Sequence, residues 1–265
     1  VDIQSGANSM YASWSDDKYR IRLYHADCFD VFPHLEGTIE AVVSDPPYGV
    51  AYEGGHFHSG DVAIQRKTRP LEGDKEDVYS RVMNPLFRLC KGPVYLFYST
   101  SKTLEVFKSI DEANGQVHAL IIWHKTNAKY AAMGAQYKNR YEPLVYCKAK
   151  GGNLMWCGPS NECTLWEMPR DASNKYHPTQ KPVRLMERII GNHTSDTILD
   201  PFMGSGSTGV ACVNLGRSFV GIEKDRHHYE TAISRITEAI LDSQDGPLFA
   251  THKPEQLTIE NLVDN

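Results

Sequence analysis

Seven short runs of β-branched and aromatic residues punctuate the chain: Arg22–Ala26, Ile39–Ser44, Val94–Tyr98, Val117–Trp123, Leu144–Cys147, Thr197–Leu199 and Phe219–Ile222. Several are almost continuously apolar, the pattern of strands covered on both faces. Between them the apolar residues fall at helical spacing. Leu104, Phe107 and Ile110 form one stripe, with Asn114-Gly115 as its stop. Val183, Met186, Ile189 and Ile190 form a second, with Pro182 suited to its first turn and Gly191 to its end. Ile233, Ile236 and Ile240 mark a third. Val78, Val82 and Leu89 suggest a fourth, which Pro85 is expected to kink or shorten. Strands alternating with helices predict an α/β fold built on a doubly wound sheet.

Three stretches break this rhythm. Ala51–Asp74 is polar, with glycines, histidines and the cluster Arg66, Lys67 and Arg69. Thr126–Arg140 is polar, basic and aromatic, and Gly151–Tyr176 is rich in Gly, Pro and Asn. Loops of this length in a compact domain are usually functional or mobile. The segment after Ser243 is polar and expected to be a loosely held tail. At 265 residues the chain has the length of one α/β domain. No apolar run approaches a membrane span, and no basic-then-apolar leader is visible at the start. The six cysteines are scattered without a Cys-x-x-Cys pair, which argues against a zinc site and favours a reducing, cytoplasmic setting. The histidines fall at no recognised ligand spacing, so no metal is expected. The net charge of −5 is unevenly spread: the only acid between His124 and Lys150 is Glu142, against six basic residues. That stretch reads either as a solvated basic surface or as a nucleic-acid contact.

Two motifs carry chemistry. Leu199-Asp200-Pro201-Phe202-Met203-Gly204-Ser205-Gly206-Ser207-Thr208-Gly209 follows a predicted strand and opens a helix of small residues. Glycines at 204, 206 and 209 permit a tight turn and close approach of backbone N–H groups to a ligand. Glu223 ends the next strand, where an acid would grip a ribose diol. This pattern points to a nucleoside-containing cofactor without choosing between NAD and S-adenosylmethionine. The second motif, Val42-Val43-Ser44-Asp45-Pro46-Pro47-Tyr48-Gly49, also follows an apolar strand. Its prolines stiffen the backbone and leave carbonyl acceptors, Asp45 adds a carboxylate, and Tyr48 a flat aromatic face. Acceptors beside an aromatic platform suit a planar exocyclic amine.

Together these residues resemble the amino-methylating DNA methyltransferases, which act on adenine N6 or cytosine N4. The order, with Asp45–Tyr48 first and the glycine loop about 155 residues later, resembles the β class. His177-Pro178-Thr179-Gln180-Lys181-Pro182, Tyr24-His25-Ala26-Asp27-Cys28 and Trp166-Glu167-Met168-Pro169 resemble supporting stretches of that family. The resemblance implies a Rossmann-like, S-adenosylmethionine-dependent methyltransferase fold. Its mixed seven-stranded sheet has the order 3-2-1-4-5-7-6 and an antiparallel seventh strand. It divides a single domain into a catalytic half (20–150), a short recognition or linker segment (151–176), a cofactor half (177–242) and the tail.

The resemblance also implies roles. Asp45, Pro46, Pro47 and Tyr48 would receive the target amine, with Tyr48 stacking on a flipped base. Transfer would be direct and in line, with no covalent intermediate, so Cys28, Cys90 and Cys212 are expected to be packing residues. Asp27 and Cys28 would meet the cofactor adenine, and Glu223 its ribose. Asp200, Pro201, Phe202, Gly204, Ser205, Gly206, Ser207 and Thr208 would surround it, with Thr179 and Lys181 toward its carboxylate. Arg66, Lys67, Arg69, Lys125, Lys129, Tyr137, Lys138 and Arg140 would contact double-stranded DNA. The family often forms dimers. Adenine N6 is the expected target, because family members with Asp at position 45 mostly act on adenine. Cytosine N4 is the alternative, ahead of an RNA or protein N-methyltransferase, an NAD-type oxidoreductase or a non-catalytic nucleic-acid binder.

Overall fold

The structure, a computed structural model, describes residues 11–35, 38–47, 78–127, 139–171 and 180–245. Among them, nine strands form one sheet: β1 (Ala12–Asp16), β2 (Ile21–His25), β3 (Ala41–Ser44), β4 (Val94–Phe97), β5 (Gly115–Lys125), β6 (Tyr141–Ala149), β7 (Leu165–Met168), β8 (Thr197–Asp200) and β9 (Ser218–Glu223). The helices are α1 (Cys28–Val31), α2 (Val78–Leu89), α3 (Thr103–Glu112), α4 (Val183–Gly191), α5 (Ser207–Asn214) and α6 (Arg226–Asp245).

The strand order is β1-β2-β9-β8-β3-β4-β6-β5-β7. All seven expected strands are present, and β2-β9-β8-β3-β4-β6-β5 reproduces the expected order. Strands β2, β9, β8, β3 and β4 run parallel, and β6 lies antiparallel to both β4 and β5. The expected count of seven is corrected by two edge strands. Strand β1 pairs antiparallel with β2, and its residues are exposed or half-buried, so it lacks a buried apolar face to announce it. Strand β7 adds in parallel to β5 from the Gly151–Tyr176 stretch, and of its four residues only Trp166 is buried.

Alternation along each strand divides the core between the two faces of the sheet. Val42, Val94 and Leu96 face one cluster with α2 and α3, whereas Val43, Tyr95 and Phe97 face the other with α4, α5 and α6. Helix α2 is not shortened at Pro85 and continues to Leu89. Beyond the proline it buries Leu86 and Phe87. Burial of two such side chains is worth about 1.5–3 kcal/mol each, enough to offset the ~3 kcal/mol cost of an internal proline. Helix α3 forms, but Leu104 is 86% exposed and the buried face is Val106, Ser109 and Ile110. Leu104 lies two positions before Val106, roughly 200° around the helix, which places it on the solvent side. Asn114, with φ of 58°, takes the left-handed position after this helix, and Gly115 begins β5. Helix α6 runs through Ser243 to Asp245, two residues into the expected tail.

Chain order reverses at β8 and β3. From β8 the chain proceeds to β9 on one side, and from β3 to β4 on the other. Open parallel sheets bind ligands outside the carboxyl ends of such a pair.

Candidate active site

Strand β3 is buried along its whole length and delivers Ser44, Asp45, Pro46 and Pro47 to this switch point. Its register against β8, Ala41 to Ile198 and Val42 to Leu199, brings Ser44 level with the end of β8. Ser44 Oγ donates to Asp200 Oδ1 at 2.5 Å, joining motifs 156 residues apart. Asp200 also accepts from Thr208 Oγ1 at 2.7 Å and from the Phe202 amide at 3.1 Å. Its side chain thus ties the two motifs together from inside. Burial pushes its carboxyl up to about 7, against the three hydrogen bonds that favour the charged form.

A raised folded-state pKa gives a stability contribution that is full below the unfolded value of 3.8 and is lost as pH rises toward about 7. Asp200→Asn cannot titrate. The melting-temperature advantage of the unsubstituted protein over this variant is therefore expected to shrink by a few degrees from pH 4 to pH 7, read by calorimetry at fixed ionic strength. A constant difference across that window would show that Asp200 is charged throughout.

The glycine loop is shaped by two different needs. Gly204 has φ of +51° and would place a Cβ with nothing within 4 Å. Gly206 has φ of +82° and caps α5, but its Cβ would lie 2.9 Å from Ala232 Cβ on α6. Gly206 therefore serves the turn and the helix contact, while Gly204 is the position that leaves space open. The hydroxyls of the loop are turned inward. Arg235, on α6 and 8% exposed, donates to the Ser205 carbonyl at 2.6 Å, to Ser205 Oγ at 3.0 Å and to Ser207 Oγ at 3.3 Å. Thr208 in turn is committed to Asp200.

At the neighbouring strand ends, His25 of β2 pairs with Glu223 of β9. Asp27 follows directly, capping Phe29 N at 3.0 Å through Oδ1 and lying 3.5 Å from Lys224 Nζ through Oδ2. Glu223 accepts from Gly204 N at 2.9 Å and from Asp225 N at 2.8 Å, so it clasps the start of the glycine turn. Burial raises its pKa despite these bonds. Asp27, Glu223 and Gly204 therefore gather at adjacent strand ends. Phe202 is partly buried against the core, and Pro201 is buried. The Cys28 thiol is buried and pushed up by burial and by the charge of Asp27; Cys90 reaches about 12 and Cys212 also rises through burial. None is an activated nucleophile.

Lys181 reaches the Asp45 motif. Its ammonium contacts Asp45 Oδ2 and lies 3.3 Å from Glu142 Oε2 and 4.9 Å from the Phe97 ring centroid. It is joined to the Asp45-Pro46-Pro47 motif. Burial acts downward on its pKa, but Asp45 and Glu142 outweigh it and the pKa is raised. Glu142 shows the converse: burial acts upward, Lys181 and Lys125 outweigh it, and the pKa is lowered. Lys125 bonds Glu142 Oε1 at 2.7 Å beside the Trp123 ring. Arg140 donates to the Thr126 carbonyl at 3.1 Å and remains exposed. Tyr48, Arg66, Lys67, Arg69, Lys129, Tyr137, Lys138 and Thr179 lie outside the described residues. Glu142 and Arg235 were not singled out from sequence. Glu142 is marked in the sequence only as the one acid in a basic stretch, and no sequence signal marks Arg235.

A mixed sheet whose order runs β2-β9-β8-β3-β4-β6-β5, with β6 antiparallel and a glycine turn at the switch point, is the Rossmann-like arrangement expected of S-adenosylmethionine-dependent methyltransferases. Comparisons with known proteins narrow this. The chain belongs to the DNA methylase family of N6 and N4 methyltransferases, whose sequence profile matches residues 39–234. It is 28% identical over 249 residues to the type II methyltransferase M2.MboI of Moraxella bovis, covering 84% of this chain and 90% of that protein. It is 27% identical over 231 residues to the putative methylase YubD of Escherichia coli K12, covering 85% and 94%. Among solved structures, the M1.HpyAVI–SAM complex superposes with a TM-score of 0.62 at 28% identity, covering 81% of this chain and 99% of that one. The cytosine-N4-specific PvuII DNA methyltransferase shares the fold, with a TM-score of 0.64 at 16% identity and coverage of 84% and 92%. Among the described residues no helix is long and apolar enough to cross a membrane, and no cluster of three metal-ligating side chains occurs.

Proposed function

We propose that this chain methylates adenine N6 in double-stranded DNA, using S-adenosylmethionine and a flipped target base. The observation that carries the reading is the Ser44–Asp200 bond, which sets Asp45 beside the loop that begins at Phe202. The gathered residues fit the cofactor. Asp27 and Glu223 offer carboxylates at adjacent strand ends for an adenine amine and a ribose diol, and Gly204 leaves room for close approach. When bound, S-adenosylmethionine supplies an electrophilic methyl group.

The chain's own residues prepare the nitrogen. An exocyclic amine is a poor nucleophile because its lone pair is delocalised into the ring. Hydrogen bonds from the amine to the Asp45 carboxylate and the Pro46 carbonyl favour the pyramidal form and aim the lone pair. Pro46 is buried and Pro47 half-buried, so the acceptors are held on a stiff backbone. Tyr48 supplies the stacking face, and Phe202 packs beside the cofactor.

The base assignment is tested by digesting methylated DNA to nucleosides and identifying them by mass spectrometry. N6-methyladenine is the expected product. N4-methylcytosine as the main product overturns the base assignment, and no methylated nucleoside overturns the activity. The basic stretch is tested separately. Replacing Lys129, Lys138 and Arg140 is expected to flatten the slope of log K against log salt by roughly 0.9 for each phosphate that is no longer neutralised. An unchanged slope moves the DNA face elsewhere, with Arg66, Lys67 and Arg69 next in line.

A further inference from the structure

We propose that Lys181 is a positioning residue for Asp45, holding its carboxylate ionised and oriented, and that Glu142 anchors Lys181 in turn. This rests on Asp45 being the acceptor for the target amine. Four side chains alternate in sign across the carboxyl edge of the sheet: Lys125, Glu142, Lys181 and Asp45. They come from β5, β6, the stretch entering α4 and the segment after β3. Lys181 is only 7% exposed. A buried ammonium is tolerated only when paired, and here two carboxylates and the face of Phe97 surround it.

The sequence explains how Lys181 is delivered. The residue before a proline is held extended. Pro182 itself is extended at the N-terminal cap of α4, with φ of −60° and ψ of 136°. Helix α4 is then anchored by Leu185, Met186, Ile189 and Ile190. Lys181 is thus carried on a fixed backbone, and its ammonium fixes the Oδ2 edge of Asp45.

The chemical consequence concerns the protonation of Asp45. Asp200 lies close enough for its charge to interact with that of Asp45, and each carboxylate disfavours ionisation of the other. Glu142 adds a third negative charge on the β6 side. A proton on Asp45 would turn one of its two acceptor oxygens into a donor. The ammonium of Lys181 counters both neighbours. Asp45 then remains an acceptor for the amine hydrogens.

The proposal makes predictions of opposite sign, which simple loosening of the site does not. Titration of Asp45 by ¹³C carboxylate NMR needs no turnover, and an Asp200→Asn background removes the group that titrates beside it. Lys181→Met removes a cation, and the Asp45 titration is expected to move up by roughly one unit or more. Glu142→Gln removes an anion, and the titration is expected to move down. In single-turnover assays Lys181→Met is expected to lower the methyl-transfer rate about 100-fold, with S-adenosylmethionine affinity within about threefold by calorimetry. Its acid limb should move up in step with Asp45. Lys181→Arg should recover part of the rate and keep the limb low.

An unshifted Asp45 in Lys181→Met, or shifts of the same sign in both variants, overturns the proposal. So does a large loss of cofactor affinity with an unchanged chemical step, which would return Lys181 to the cofactor. If Lys181→Met does not fold, Glu142→Gln and Lys181→Arg carry the test, and an unmoved titration in Glu142→Gln overturns it. Product analysis of the unsubstituted protein separates failure of the adenine assignment, which leaves Lys181 in place, from failure of this inference.

Discussion

Asp45→Ala is expected to lower methyl transfer by about three orders of magnitude while leaving cofactor and DNA binding within a few-fold of the unsubstituted protein. The magnitude follows from what is removed. Aligned acceptors that favour the reactive form of the amine act mainly on the chemical step, and removal of one such preorganised group typically costs 10²–10³ or more. The fold should survive, because Lys181 keeps Glu142 as a carboxylate partner. Cofactor contacts should also survive, since Asp27, Glu223 and Gly204 are assembled through their own backbone bonds. Asp45→Asn is the sharper companion: it keeps the shape but presents a neutral amide to the Lys181 ammonium, so it should also be severely impaired. The measurement is single-turnover transfer alongside calorimetric binding of S-adenosylmethionine. Substantial transfer by Asp45→Ala would remove the mechanism, and abolished cofactor binding would show that Asp45 shapes the cofactor cleft instead.

The sheet was legible in the sequence for a physical reason. Strands buried on both faces must be apolar almost throughout, as β3 and β4 are, while β8 and β9 keep apolar centres between polar ends. The edge strands escaped because they lack that constraint: β1 buries no residue, and β7 buries one. The helix stripe at Leu104 misled because three apolar residues at plausible spacing do not reveal which arc meets the sheet.

At the site, the local parts were legible and the long-range pairings were not. The glycine turn and the strand-end carboxylates are set by neighbours in sequence, so their spacing carries information. Asp45 meets Lys181 across 136 residues, and Arg235 meets Ser205 across 30. Nothing in spacing encodes such pairs. The same limit hid the carboxylate partners of Lys181 and Lys125. Each is a basic residue in a polar stretch, which reads as a ligand or DNA contact until its half-buried carboxylate partner is seen. A buried cation is more often answering a buried anion than awaiting a ligand.

Gly206→Val is expected to destabilise the protein by about 2–6 kcal/mol and to abolish cofactor binding as a consequence. Two costs add. The backbone at Gly206 has φ of +82°, where a β-branched residue is strained by about 1–3 kcal/mol. The new Cβ would then lie 2.9 Å from Ala232 Cβ and 3.1 Å from Ala232 Cα, and overpacking of this kind costs about 1–3 kcal/mol. Ala232 is fully buried on α6, three residues from the arginine that clamps the loop, so the clash cannot be relieved by moving a flexible side chain. Pushing α6 outward would draw Arg235 away from Ser205 and Ser207 and loosen the loop from both sides. Gly204→Ala provides the contrast. It also has a positive φ, of +51°, but its Cβ would meet nothing within 4 Å. Its stability loss should be limited to backbone strain of about 1 kcal/mol, while cofactor affinity falls because the space left open is filled. Thermal melting and calorimetric binding on both variants separate the two glycines. If Gly206→Val melted like the unsubstituted protein and lost only affinity, the helix contact would be irrelevant and Gly206 would be the glycine that faces the cofactor.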